Sequence, residues 1–295
     1  MASTINVSAL PAYVEQYTDD LLTKSMFGAK SLNYFEIMPN VKGTQALNYL
    51  DSTVVLADGS DCGFNAQGAD VFTQREIATK SLKVNKEWCD RDFLNKWAQH
   101  DLLLAAGREK MPFEEKLVNA NIKAIANELE KAIWQGNSVV DGILDVIEDA
   151  SADVVKPTVA EGASIVDKVD AVYMALPGAI LEKSPIIFMG YTDFRAYVAE
   201  LNGNCCGNMP IIDANVEDYA YAGDSRVTIV PVGGLDGTGA IVAGARDNFV
   251  YATDVEDAHA TFKLWFSDDD DLFKFKVLFN MGVQIKFPSE TVYLA

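Results

Sequence analysis

The chain has 295 residues, with 43 Asp and Glu against 24 Lys and Arg and a net charge of −19. That balance excludes a protein that tracks a nucleic-acid backbone, which needs clustered cations to displace counterions; no basic run here is longer than two. Hydrophobic residues at 49% and aromatics at 10% exclude wholesale disorder, and no apolar run approaches the roughly 20 residues of a membrane span.

Residues 8–24 read as a short amphipathic helix, with Leu10, Tyr13, Val14, Tyr17 and Leu21 on one face. Before it, Met1 to Leu10 has neither the charged start nor the apolar stretch of a signal peptide, so a cytoplasmic protein is expected. Pro39 and Gly43 break up residues 25–50. Residues 51–84 read as a long hairpin: Val54, Val55 and Leu56 lead into the tip Asp58-Gly59-Ser60-Asp61-Cys62-Gly63, and Val71 to Val84 returns. So few large apolar residues lie near the tip that the hairpin needs another surface to lie on.

Trp88, Phe93, Leu94 and Trp97 suggest one or two helices over 86–106, ended by Gly107. Pro112 opens the longest helical pattern, suited to a first turn as are Glu114 and Glu115 to the positive end of the helix dipole. Phe113, Leu117, Ile122, Ile125, Leu129 and Ile133 form its apolar stripe and Gly136 its stop. At 1.5 Å per residue this is a strut of roughly 33 Å. Residues 139–160 hold short apolar runs with Gly142 and Pro157. Ser164-Ile165-Val166-Asp167 resembles a capping box for a helix through Leu176. Ile186 to Met189 reads as a buried strand, Thr192 as the cap of a helix ending at Asn202-Gly203, and Val227–Val232 and Ala240–Ala243 as strands. The block is a compact α/β unit. From Phe262 to Phe287 apolar residues alternate with Lys263, Lys274, Lys276 and Asn280, which predicts antiparallel strands with one buried face, turning at Ser267-Asp268-Asp269-Asp270-Asp271.

Catalytic motifs are thin. His100 and His259 are the two histidines, and neither sits in H-E-x-x-H. Gly28-Ala29-Lys30-Ser31 looks like the end of a phosphate loop, but no glycine precedes it nearby. Gly233 to Gly239 lacks the last glycine of a dinucleotide fingerprint, because Val242 stands there, and reads as a flexible turn. Cys62, Cys89, Cys205 and Cys206 form no C-x-x-C pair and read as reduced thiols. The four-aspartate turn is a solvated hairpin tip or, where copies meet at a symmetry axis, a cation site. No catalytic, cofactor or metal residue is assigned.

Three stretches carry a family likeness. Phe113-Glu114-Glu115-Lys116-Leu117 through Trp134-Gln135-Gly136-Asn137 to Asp141-Gly142-Ile143-Leu144 is a strut with a glycine-bearing exit. Ser184-Pro185-Ile186-Ile187-Phe188-Met189, followed by Thr192-Asp193-Phe194-Arg195, is a strand and helix. Asn248-Phe249-Val250-Tyr251-Ala252-Thr253-Asp254 leads into the final strands to Leu294. In this order they resemble the major capsid proteins of tailed phages, whose shared architecture is the Hong Kong 97 fold.

That resemblance implies an α+β fold with an N-terminal arm (1–50), an extended E-loop hairpin (51–84), a peripheral domain (85–140 and 250–295) with spine helix 112–136, and an axial domain (141–249). In the family the E-loop lies across a neighbouring subunit. Asp58, Gly59, Ser60 and Asp61 at its tip, with Asp268, Asp269, Asp270 and Asp271 in the peripheral loop, become expected inter-subunit contacts. The implied protein is a non-enzymatic shell subunit that forms hexamers and pentamers and encloses double-stranded DNA without reading its sequence. It would be assembled in a bacterial cytoplasm and reside in the virion capsid. Its implied partners are a separate scaffolding protein and a portal, with decoration proteins optional; it has no membrane partner. The alternatives are an encapsulin-like compartment shell and a soluble α/β hydrolase or sugar-binding protein.

Overall fold

The computed structural model describes Leu21, residues 24–25, 27–56, 68–89, 96, 99, 113–203, 219–254, 261–267, 269–270 and 272–295. The expected helix 8–24 lies outside the described residues except for Leu21 and Lys24, both helical, with Leu21 buried.

Among the described residues, two five-stranded sheets and a two-stranded hairpin make up the β structure. In the first sheet β1 (Glu36–Met38) runs parallel to β9 (Phe249–Asp254), β9 pairs with β11 (Leu272–Ile285), and β11 pairs with β10 (Thr261–Ser267). The other edge of β11 takes β4 (Lys80–Cys89). The C-terminal alternation is realised as expected: Phe273, Phe275, Val277, Phe279 and Met281 are buried, as are Phe262 and Leu264 on β10. Each such side chain contributes about 1.5–3 kcal/mol on burial. Helix α1 (Phe113–Gln135) supplies Val118, Ile122, Ile125, Leu129 and Ile133 to the same core. It is tied to β4 by the Lys86 ammonium, which donates to the Asn121 side-chain carbonyl at 2.9 Å.

The exit of α1 follows the expected turn. Gly136 has φ +67°, the left-handed conformation that glycine favours. The Asn137 side-chain oxygen accepts from the amides of Val139 and Val140 at 2.8 and 2.9 Å. Gly142 lies so close to Gly136 that a β-carbon on it would overlap the Gly136 amide. Helix α2 (Ile143–Asp149) starts there, and Asp145 accepts from the Gly142 amide at 2.8 Å. The sequence pattern over 139–160 does not announce this helix.

The second sheet has the order β12-β8-β5-β7-β6. Its strands are β5 (Ile186–Gly190), β6 (Tyr219–Tyr221), β7 (Asp224–Val232), β8 (Ile241–Gly244) and β12 (Val292–Leu294). Helix α3 (Ile165–Ala175) carries the expected capping box, with Ser164 accepting from the Asp167 amide at 3.1 Å. A single turn, α4 (Gly178–Leu181), follows, and then α5 (Tyr191–Gly203). Val169, Val172, Ile180 and Tyr197 from these helices pack with Ile187, Met189, Ile229 and Ala243 of the sheet. Ile186, Phe188, Val230 and Val242 join the core of α1 instead. A strand covered on both faces reads as an unbroken apolar run, which is why Ile186 to Met189 is legible.

Several sequence expectations are corrected. Trp88 lies in a strand, opposite Phe273, and not in a helix; within 86–106 Lys96 and Gln99 are helical, while 90–95, 97–98 and 100–106 lie outside the described residues. The return run Val71–Val84 is two strands, β3 (Gly68–Ala78) and β4, because Thr79 breaks the ladder. Its amide donates to Gly43 O at 2.8 Å and its hydroxyl to Val41 O at 3.0 Å. Thr192 does not cap α5; its amide donates to Asp236 at 2.9 Å. Lastly, Gly233–Leu235 is a buried 3-10 turn against α1, not a flexible loop. A β-carbon on Gly234 would overlap the Glu130 carbonyl and the Trp134 ring. The final strand β12 also pairs in the second sheet, although residues 250–295 were assigned by resemblance to the unit of the first.

Candidate assembly surfaces

The hairpin pairs β2 (Thr44–Val54) with β3, Thr44 opposite Ala78 and Val54 opposite Gly68. At about 3.4 Å per residue its strands reach about 35 Å. Its base is anchored: Leu47 and Ile77 are buried with Val41 against Val250 and Ala252 of β9. The Gln284 side-chain amide donates to Glu76 O at 2.7 Å. Gly282 lets the hairpin cross β11, since a β-carbon there would overlap the Ala78 carbonyl. Farther out the described apolar side chains lie largely uncovered. Val54, Leu56 and Phe72 are 76%, 95% and 81% exposed. A lone two-stranded hairpin is at best marginally stable in water, and exposed apolar groups on an extended arm mark a contact surface. The expected tip contacts Asp58, Gly59, Ser60 and Asp61 lie outside the described residues.

The acidic turn joins β10 to β11. Asp268 and Asp271 lie outside the described residues, and Asp269 is exposed. Asp270 is engaged within its own hairpin, accepting from the Ser267 hydroxyl at 3.1 Å and from the Lys274 ammonium. The Lys274 hydrogen bond holds its carboxyl below the ordinary range. Among the described residues no cluster of three metal-ligating side chains occurs, and no helix is long and apolar enough to cross a membrane. Cys89 is a free, exposed thiol.

What rigidly holds these surfaces is a junction between the two sheets that sequence reasoning missed. Trp134, at the end of α1, stands 5.0 Å from Phe188 and 5.8 Å from Phe35, and Phe35 stacks on Phe249 at 5.4 Å. The indole N–H donates to the Ser31 hydroxyl at 2.7 Å. That hydroxyl donates to Glu130, which also accepts from the Ser31 amide at 3.1 Å. Gly28-Ala29-Lys30-Ser31 is thus a packing segment, its serine reading a helix carboxylate. Gly28 lies so close to Ala126 of α1 that a β-carbon would collide with it.

Burial pushes the Glu130 carboxyl up, and the Ser31 hydrogen bonds only partly oppose the shift. An acid raised in this way favours its protonated form in the fold. Its contribution is therefore complete below the ordinary carboxyl range and is lost as pH rises through the folded-state value. Glu130→Gln keeps a side-chain acceptor for Ser31 without the buried charge. Thermal melts should show the variant at least as stable as the parent at pH 8, with the parent gaining on it as pH falls. A parent that instead loses ground to the variant towards pH 5 contradicts this assignment.

An anchored arm, a strut helix against a long antiparallel sheet and a second α/β unit together define the Hong Kong 97-like fold of phage major capsid proteins. Solved structures agree. A chain of the satellite phage P4 procapsid, determined with its size determination (Sid) protein, is 14% identical, with a TM-score of 0.64 over 99% of this chain and 97% of that one. The capsid of an empty GTA particle matches at 15% identity and TM-score 0.56, over 92% and 89% of the two chains. A virus-like particle from Pyrococcus furiosus matches at 11% identity and TM-score 0.52, over 99% and 100%. No protein-family model and no curated protein sequence matches the chain.

Proposed function

We propose that the chain is the major capsid subunit of a tailed phage, assembling into an icosahedral head that encloses packaged double-stranded DNA. The observation that carries this reading is the anchored hairpin with uncovered apolar residues, on a fold shared along almost the whole chain with capsid proteins. Head-to-tail contacts close into hexamers and pentamers, and the hairpin, as the E-loop, covers its apolar side chains on the next subunit. The work is assembly and requires no bond-making by the subunit. The net charge of −19 keeps the inner wall from adhering to DNA.

In this reading residues 1–50 are the arm, 85–140 and 250–295 the peripheral domain, and 141–249 the axial domain. Asp58 to Asp61 and Asp268 to Asp271 meet neighbouring subunits. A separate scaffolding protein and a portal complete the head, which assembles in the host cytoplasm. The likeness to a virus-like particle favours one second reading, a compartment shell.

The test is to express the protein and image the void-volume fraction by negative-stain electron microscopy. Closed shells, rings or sheets support the shell reading, and nucleic acid inside separates a phage head from a compartment loaded with cargo protein. A monomer that stays monomeric when concentrated, with scaffolding protein co-expressed, overturns it.

A further inference from the structure

The outward face of the first sheet is basic in an acidic protein. The register sets Lys263 directly opposite Lys276, and Trp265 opposite Lys274. Lys83 follows one row along, opposite Leu278. Like charges set directly opposite on neighbouring strands are destabilising, and a chain with 43 acidic residues has ample means to avoid that arrangement. Lys274 pairs with Asp270, while Lys83, Lys263 and Lys276 have no ion pair among the described residues. Trp265 is 39% exposed in the midst of these cations.

A second surface has the opposite character. Between the exit of α1 and the residues just after α2, Asp141, Glu148, Asp149 and Asp153 are all exposed. None of them has an ion pair among the described residues. Of the cations near them, Arg75 donates to the Gln284 side chain at 3.3 Å and Lys156 lies over the Tyr293 ring. Lys80 stands at the edge of the depression that Asp141 and Asp149 share. Val139, two residues before Asp141, is 50% exposed.

We infer that these two surfaces meet between copies of the chain: the basic face of one subunit is the docking site for the acidic α2 end of the next. The inference rests on the shell reading. The surfaces complement each other in charge, and each carries one uncovered apolar side chain, Trp265 and Val139, for the other to cover. They cannot meet within one chain. Val283 borders the same depression as Asp141 and Asp149, and at about 3.4 Å per residue it lies about 24 Å along β11 from Lys276. A contact between two different surfaces of identical subunits is head-to-tail, the kind that closes into rings. Charge pairing across it fixes register and suppresses wrong partners, so this contact sets how one subunit is turned against the next.

The test couples carboxylates to touching amines in assembled, unmodified shells with a zero-length carbodiimide, then maps the joined peptides. Lys263 or Lys276 should be joined to Glu148 or Asp149 of a different chain. The same lysines joined only to carboxylates of residues 51–70 assign the face to the neighbour's hairpin and overturn the inference, as do lysines left uncoupled. Two variants give an independent reading. Lys263→Glu with Lys276→Glu, and separately Glu148→Lys with Asp149→Lys, should each raise the protein concentration needed for assembly at least about tenfold. Mixed in equal amounts the two should assemble near the parent's concentration, because each then offers the surface that the other lacks. Normal assembly by either variant alone, or failure of the mixture when both melt like the parent, overturns the docking site and leaves the shell reading intact. An unmodified chain that forms no particles overturns both.

Discussion

Leu56→Asp combined with Phe72→Asp should abolish assembly and leave the subunit folded. Both side chains are almost fully exposed, so their replacement removes no described contact within the chain. Surface substitutions of this kind shift stability by about 0.5 kcal/mol or less. In the proposed shell the same positions would be buried against a neighbour, where an unpaired carboxylate costs several kcal/mol unless it is protonated, and the penalty would recur at every subunit. Thermal melts of the isolated subunit should be unchanged while particles vanish from size exclusion and from micrographs. A doubly substituted chain that still forms normal shells would show that the arm does not lock neighbours together.

Trp134→Ala should have the largest effect on the subunit itself. Deleting a buried aromatic of this size costs about 3–5 kcal/mol, and here the ring is fully buried among Phe35, Phe188 and Phe249. The indole also donates to Ser31, the residue that satisfies Glu130. Its loss leaves part of a buried polar network without its donor, at a further cost of about 1–3 kcal/mol. Against the 5–15 kcal/mol typical of a folded domain, that is enough to leave much of the chain unfolded or insoluble. Trp134→Phe separates the two contributions, keeping most of the ring packing and losing the N–H. Urea denaturation of the three proteins should rank parent, Phe, then Ala. An Ala variant within about 1 kcal/mol of the parent would remove the junction from its structural role.

The parts legible in the sequence are those governed by neighbours a few residues away. The strut was expected over 112–136 and spans Phe113–Gln135, because its stripe and the stop at Gly136 are local signals. The Ser164 cap and the Phe273 to Met281 alternation are local in the same sense. The misread parts depend on distant partners. Trp88 is a strand residue because Phe273 lies across from it, and nothing near position 88 reports that. Thr79 ends one strand and begins another because Gly43 and Val41 capture it. Gly234 looks like loop glycine until α1 is laid against it. For the surfaces, the uncovered hairpin was visible as a shortage of apolar residues. The basic face was not, since Lys83, Lys263, Lys274 and Lys276 come from three strands and meet only through the register.

Strand β11 holds β4 on one edge and β10 and β9 on the other. β4 ends at Cys89 and β11 at Ile285, so β4 leaves the ribosome almost two hundred residues before its partner. At synthesis rates of about 5–20 residues per second, that gap is about 10–40 s. Throughout it the apolar side of β4, with Leu82, Val84 and Trp88, has no sheet to join. The fold is therefore closed from its C-terminal end, as a high-contact-order topology that forms only once translation is nearly complete. A nascent chain therefore carries an unpaired apolar strand until its last strands have been made.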